Sequence, residues 1–252
     1  MSRLIKNVVI DIEGTTTPIT FVHDVLFPYI TNNLTRYLSD SWSDSQTIAD
    51  VNALKSEPLV ESVPAIHIDD GNREKSIESV CSNIKAQMSI DRKSTALKQL
   101  QGHMWRAAYE SKQIAGLLYD DVRPVLERLK QESATPVYIY SSGSIAAQKL
   151  LFGYSTAGDC LPLLAGHFDT TIGLKVESSS YTRILEQIKA TEQPSETLFI
   201  TDSQREAIAA KDAGLSVLVS VRPGNPALTP NLTDHIQQIT NFNQIYNSFR
   251  FN

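Results

Sequence analysis

Cysteine is almost missing from this chain: Cys81 and Cys160 are the only two in 252 residues. So small a number, with no histidine or cysteine cluster at metal-binding spacing, excludes a disulfide framework and a zinc module, and two reduced thiols fit a cytoplasmic protein, nuclear as well in a eukaryote. The five histidines are scattered singly and are assigned no role. Positive charge is also in deficit. With a formal net charge of -5 the chain has no field to hold nucleic-acid phosphates or anionic lipid, so neither nucleic acid nor membrane is expected as a partner. No apolar run approaches the roughly twenty residues of a membrane span. Met1-Ser2-Arg3-Leu4-Ile5-Lys6-Asn7 likewise lacks the long apolar region of a signal peptide. Glycosylation-type triplets at Asn33 and Asn231 are therefore read as coincidences. What is present is ordinary globular material, 41% hydrophobic and 20% charged, enough for a chain of this length to bury its own core as a monomer.

Four short runs rich in β-branched and aromatic residues read as buried parallel strands: Val8 to Ile10, Val137 to Tyr140, Leu198 to Ile200 and Val217 to Val221. Between them, Val122, Val125, Leu126 and Leu129 keep helical spacing, as do Tyr181, Ile184, Leu185 and Ile188. Alternating strand and helix predicts an α/β fold with a doubly wound, Rossmann-like parallel sheet. The first two strands lie too far apart for one crossover, so an insertion is expected. Its apolar stripes, Ile77, Val80, Ile84 and Met88, then Leu97, Leu100, Met104 and Ala108, are helical. Residues 20–118 are accordingly read as a helical cap over the crevice of a core formed by 1–19 and 119–252, with a loop at 56–71. The Asn/Gln-rich tail after Pro223 reads as surface structure closing with a short helix.

Three predicted strands end in polar groups suited to phosphate or metal: Asp11, Ser141-Ser142 and Asp202. In an open α/β sheet those ends border the ligand crevice, so residues distant in sequence should converge there. Asp11 and Glu13 flank a single residue before Gly14-Thr15, placing two carboxyls at one turn. Phosphate-ester hydrolysis needs a nucleophile and a proton donor, and this pair supplies both, although a solvated turn has the same composition. Ser141 and Ser142 precede a helix start, where hydroxyls and free amides bind phosphate or merely cap the helix. Asp202 is placed to reach a magnesium ion held by Asp11, or to act as an N-cap, and Glu206 one turn on would support it. Lys175, in Gly173-Leu174-Lys175, is the candidate cation for phosphoryl charge, although a single lysine is more often solvated surface.

Asp11-x-Glu13-Gly14-Thr15, the Ser141-Ser142 step, Lys175 and Asp202 stand in the order and contexts of the four motifs of the haloacid dehalogenase-like superfamily, which the chain resembles. The run from Asp11 to Tyr29, the run from Val137 to Gly153, His167 to Lys175 and Arg222-Pro223-Gly224-Asn225 resemble its enolase-phosphatase subgroup in particular. The resemblance implies enolisation of 2,3-diketo-5-methylthiopentyl 1-phosphate, then dephosphorylation to an acireductone in methionine salvage. It also implies one Mg2+ per subunit serving both steps at Asp11, Glu13 and Asp202, with Asp11, Glu13 and Lys175 catalytic and Ser141, Ser142 and Lys175 on the substrate phosphate. Where the superfamily usually has a second aspartate, this chain has Glu13, which agrees with the subgroup and leaves its role as acid, base or metal-site element open. Ser203 after Asp202 is more polar than that pattern leads one to expect. Phe21 and Phe27 are the apolar candidates for the methylthio end.

Overall fold

The apolar runs form the middle of a sheet. The computed structural model describes residues 2–92, 94–230 and 235–251, so Asn231 lies outside the described residues. In chain order the elements are β1 (Arg3–Ile5), β2 (Asn7–Ile10), α1 (Phe27–Ser41), α2 (Ser45–Lys55), α3 (Arg73–Ser89), α4 (Thr95–Glu110), α5 (Val122–Glu132), β3 (Val137–Tyr140) and α6 (Ile145–Gly153). These are followed by β4 (Gly166–Phe168), α7 (Ser178–Gln187), β5 (Thr197–Thr201), α8 (Gln204–Asp212), β6 (Ser216–Ser220), β7 (Gln237–Ile239), α9 (Ile245–Ser248) and β8 (Phe249–Phe251). They group into two units, Met1–Phe21 with Ala115–Asn252, and Val22–Ile114.

The first unit carries a six-stranded parallel sheet in the order β4-β3-β2-β5-β6-β7. The chain works outward from β2 to β3 and β4, then returns to β5 on β2's other side. That reversal makes β2 and β5 the switch point, where an open α/β sheet parts its loops to admit a ligand. Val9 pairs with Tyr138 on one side and Phe199 on the other. On one face Val9, Tyr140 and Phe199 pack with Tyr181, Ile184 and Leu185 of α7 and with Ala209 and Ala210 of α8. Tyr181 stands edge-on to both Tyr140 and Phe199, with ring centres 5.7 and 5.1 Å away. The apolar residues of α5, Val122, Val125, Leu126 and Leu129, are all buried as their spacing requires.

Two parts of this unit depart from expectation. β4 and β7 carry too little apolar pattern to read as strands: Gly-His-Phe and Gln-Gln-Ile each bury one residue at a sheet edge. The tail is not surface structure ending in a helix. Ile239, Phe242 and Ile245 are buried between its amide residues, and after α9 the chain closes as β8, parallel to β1.

The second unit packs α1 to α4 around Leu34, Leu38, Val80, Ile84, Leu100 and Met104. The loop after α2 is tied down where Asn83 Nδ2 donates to the Pro64 carbonyl at 2.7 Å. Asp50 of α2 is fully buried and takes His103 Nδ1 at 2.7 Å and Gln46 Nε2 at 3.2 Å. Asn33 lies within α1, donating to the Tyr29 carbonyl. Phe27 is half-buried against Trp105, whereas Phe21 is buried within the first unit. Among the described residues no helix is long and apolar enough to cross a membrane, and both cysteines are buried and free.

Candidate active site

The site begins where β2 stops. Asp11 N donates to the Ile200 carbonyl as the last rung of the β2–β5 ladder, and the chain then coils so tightly that Thr15, Thr16 and Thr17 all direct their amides at the Ile12 carbonyl. Gly14 makes this possible at φ +73°, a conformation that side chains disfavour, and a Cβ there would strike the Asp202 carboxylate. Backbone approach to Asp202 and turn geometry therefore both demand glycine.

Asp11 is buried and both of its oxygens are held. Oδ1 accepts from Ile12 N at 2.7 Å and Lys175 Nζ at 2.5 Å, while Oδ2 accepts from Thr201 Oγ1 at 3.1 Å. Lys175 stands on the loop after β4, whose backbone is fixed by three hydroxyls: Tyr140 to Gly173 O, Ser180 to Leu174 O and Tyr181 to Lys175 O. The ammonium also meets Glu206 Oε2 at 2.8 Å. Burial pulls the Lys175 pKa down, but the Asp11 and Glu206 carboxylates outweigh it and hold the group well above its ordinary value, hence charged.

Glu13 points to the neighbouring strand, accepting from Ser141 Oγ at 3.2 Å. Burial first, and then the Asp11 charge, raise its pKa, so the carboxyl tends to keep a proton. Ser141 Oγ also accepts from Gly143 N at 3.1 Å, drawing the loop after β3 around it. Capping duty in that loop falls to Ser144, which accepts from Ala147 N. Ser141 is thereby left for the site, and Ser142 is exposed. The same division of roles occurs after β5. Ser203 caps α8, so Asp202 is released from that task. Its pKa is pushed up to about 7 by burial and then by Asp11 and Glu206; that of Glu206 also rises to about 7, through burial and then Asp11.

Four carboxyls, Asp11, Glu13, Asp202 and Glu206, thus share this part of the unit with one ammonium, a balance short of positive charge. All the surplus donors are hard oxygens, the kind magnesium takes. Asn225 Oδ1, 3.0 Å from the point a Gly14 Cβ would occupy, is a buried oxygen that accepts no hydrogen bond. Among the described residues no three acidic, histidine or cysteine side chains are gathered tightly enough to form a ligand cage. Magnesium does not need one, since it keeps several waters and takes one or two carboxylates. The donors present fit that ion.

Of the residues singled out in sequence, Asp11 and Lys175 pair directly, Glu13 pairs with Ser141, and Asp202 joins across the Gly14 backbone. Glu206, expected as outer support, instead touches Lys175 itself. Thr201 is a site residue that the sequence pattern does not mark. Its hydroxyl lies between Asp11 Oδ2 and Glu206 Oε2, and only its place at the last position of β5 hints at this.

Residues 5–214 match the model of the haloacid dehalogenase-like hydrolases. An enolase-phosphatase E1 of Danio rerio is 53% identical over 94% of this chain and 92% of its own length. The chain belongs to the enolase-phosphatase family of haloacid dehalogenase-like hydrolases. A Vitis vinifera protein named as a probable bifunctional methylthioribulose-1-phosphate dehydratase/enolase-phosphatase is 45% identical over 94% of this haloacid dehalogenase-like chain and 46% of its own. The crystal structure of the Saccharomyces cerevisiae UTR4 protein superposes with a TM-score of 0.76 at 33% identity, covering 94% of this chain and 98% of that one.

Proposed function

We propose that this hydrolase enolises 2,3-diketo-5-methylthiopentyl 1-phosphate and then removes its phosphate, leaving the acireductone 1,2-dihydroxy-3-keto-5-methylthiopentene for methionine salvage. The observation that carries the phosphatase half is the Asp11–Lys175 contact beside the Glu13–Ser141 pair: a fixed carboxylate nucleophile under a permanent cation, with a second carboxyl in the same turn whose pKa is raised by burial and the Asp11 charge. Hydrolases of this family generally use magnesium. Asp11 and Asp202 would hold it, with Glu13 contributing from the same turn, and when bound it would neutralise phosphoryl oxygens and polarise the adjacent carbonyl.

Asp11 attacks phosphorus, forming an aspartyl-phosphate while the ester oxygen leaves. Its three hydrogen-bond partners, Ile12 N, Lys175 Nζ and Thr201 Oγ1, hold it against rotation, so the attacking carboxylate is oriented in advance. Glu13 gives its proton to the departing enolate oxygen. Once deprotonated, Glu13 takes a proton from the water that releases phosphate from Asp11. Lys175 faces the charge that builds on the phosphoryl group, and Ser141 and Ser142, with the amides of their loop, hold the remaining oxygens. For enolisation Glu13 is the proposed proton carrier as well: it gives its proton to the C2 carbonyl oxygen and takes one from C1 as the C1–C2 double bond forms, which leaves it protonated again for the leaving group. The helical unit is proposed as the cap.

The test is to supply the diketo phosphate with and without a chelator, following enol formation by ultraviolet absorbance and phosphate release together. An absorbing enol preceding phosphate, with both signals stopped by chelation, is expected. Phosphate release from simple esters with no enol signal would make the protein a general small-molecule phosphatase.

A further inference from the structure

Asn225 lies in the turn after β6, in Arg222-Pro223-Gly224-Asn225, and the turn is tightly anchored. Asn225 N donates to the Arg222 carbonyl at 3.1 Å, and Gly224 takes φ +87°. The Arg222 guanidinium reaches Asp121 at 2.9 Å, Thr240 O at 2.9 Å and Thr15 O at 3.3 Å, lying over the Tyr119 ring. The amide of Asn225 therefore has a defined place and a defined orientation. Its Nδ2 donates to Gly14 O at 2.9 Å and Ser220 O at 3.3 Å. Turning the amide over would set Oδ1 against two carbonyl oxygens, which fixes which end is which.

The other end is then left with nothing to accept. Oδ1 is sealed from solvent without a donor. It converges with Asp202 Oδ2 on one point beside Gly14. Two acceptors brought together in a buried setting repel one another unless something positive lies between or beside them, and a hard divalent cation is the partner that two such oxygens suit.

We propose that Asn225 Oδ1 is a further oxygen ligand, acting with Asp202, for the magnesium ion. The proposal rests on the magnesium reading above and extends it to a neutral side chain from a third strand end. The same amide would thus hold the Gly14 carbonyl with its nitrogen and the ion with its oxygen, tying the nucleophile turn to the metal.

Binding of Mn2+, as a magnesium surrogate, and of Mg2+ to the full chain is measured by calorimetry and by the metal-induced rise in melting temperature, for native protein, Asn225→Ala and Asn225→Asp. Both variants lose the amide donor to Gly14, but only alanine loses the oxygen. The proposal expects affinity to fall about tenfold or more in Asn225→Ala and to stay equal or tighten in Asn225→Asp. Equal weakening in both, or no change in either, overturns it, because the amide would then serve the turn alone. If Asn225→Ala fails to melt cooperatively in chelator, Asn225→Asp decides: weaker binding than native overturns the proposal, and equal or tighter binding supports it. Native protein that binds neither ion overturns the magnesium reading itself, a result distinct from native binding that the variants leave untouched.

Discussion

Each of the two units buries an aspartate, and the contrast between them separates structure from chemistry. Asp50 of the helical unit pairs with His103 and Gln46, and among the described residues no other carboxylate is bonded into the group. Asp11 of the α/β unit has donors too, but it shares its surroundings with Glu13, Asp202 and Glu206, whose pKa values burial and mutual repulsion push upward. A protein gains nothing in stability from gathering acids this way. Such an arrangement persists where catalysis uses it, and its cost is offset elsewhere or by a bound cation.

Three measurements would break or sharpen that contrast. The largest effect belongs to Asp11→Asn. Removing the nucleophile should lower phosphate release by about four orders of magnitude or more, the scale seen when a covalent catalyst is deleted, while melting temperature is held or raised. Residual turnover near the native rate would remove Asp11 from the nucleophile's role. Next is Asp50→Ala, which takes the acceptor from half-buried His103 as well as from exposed Gln46 and should cost about 2 kcal/mol, since a hydrogen bond to a charged group contributes about 1.5–3 kcal/mol. A lowered midpoint in denaturant titration is expected, and an unchanged one would mean Asp50 is no more than tolerated. The smallest effect is on pH. With folded pKa values near 7, Asp202 and Glu206 hold protons in the native state that an unfolded chain releases near its ordinary carboxylate range. Between those limits the native state binds more protons, so metal-free stability should decline as pH rises from about 4 to about 8. Added Mg2+ should flatten the decline, and a metal-free melting temperature that rises over this interval would contradict the crowded-acid account.

The sheet's interior is legible in the sequence because β-branched runs such as Val137 to Tyr140 carry their own signal, and so are the stripes of the helical unit. Edges are not. β4 and β7 are strands by virtue of their neighbours' unpaired backbone groups, a property no local pattern records. Within the site, Asp11, Ser141, Lys175 and Asp202 stand out through their motif order, whereas Thr201 and Asn225 do not. A threonine at a strand end and an asparagine in a Pro-Gly turn have ordinary explanations until distances show what they face.

The sequence by itself determined the class of fold, the family and the reactive types: carboxylates, hydroxyls and one lysine at strand ends. Those follow from periodicity and residue order, which are one-dimensional. Only the tertiary structure decided which serines cap helices and which are left for the site, that Glu206 meets Lys175 directly, and that Asn225 presents an unpaired oxygen beside Asp202. Each of these is a question of which group takes a partner first, settled by distances of about 3 Å between residues as many as 211 positions apart.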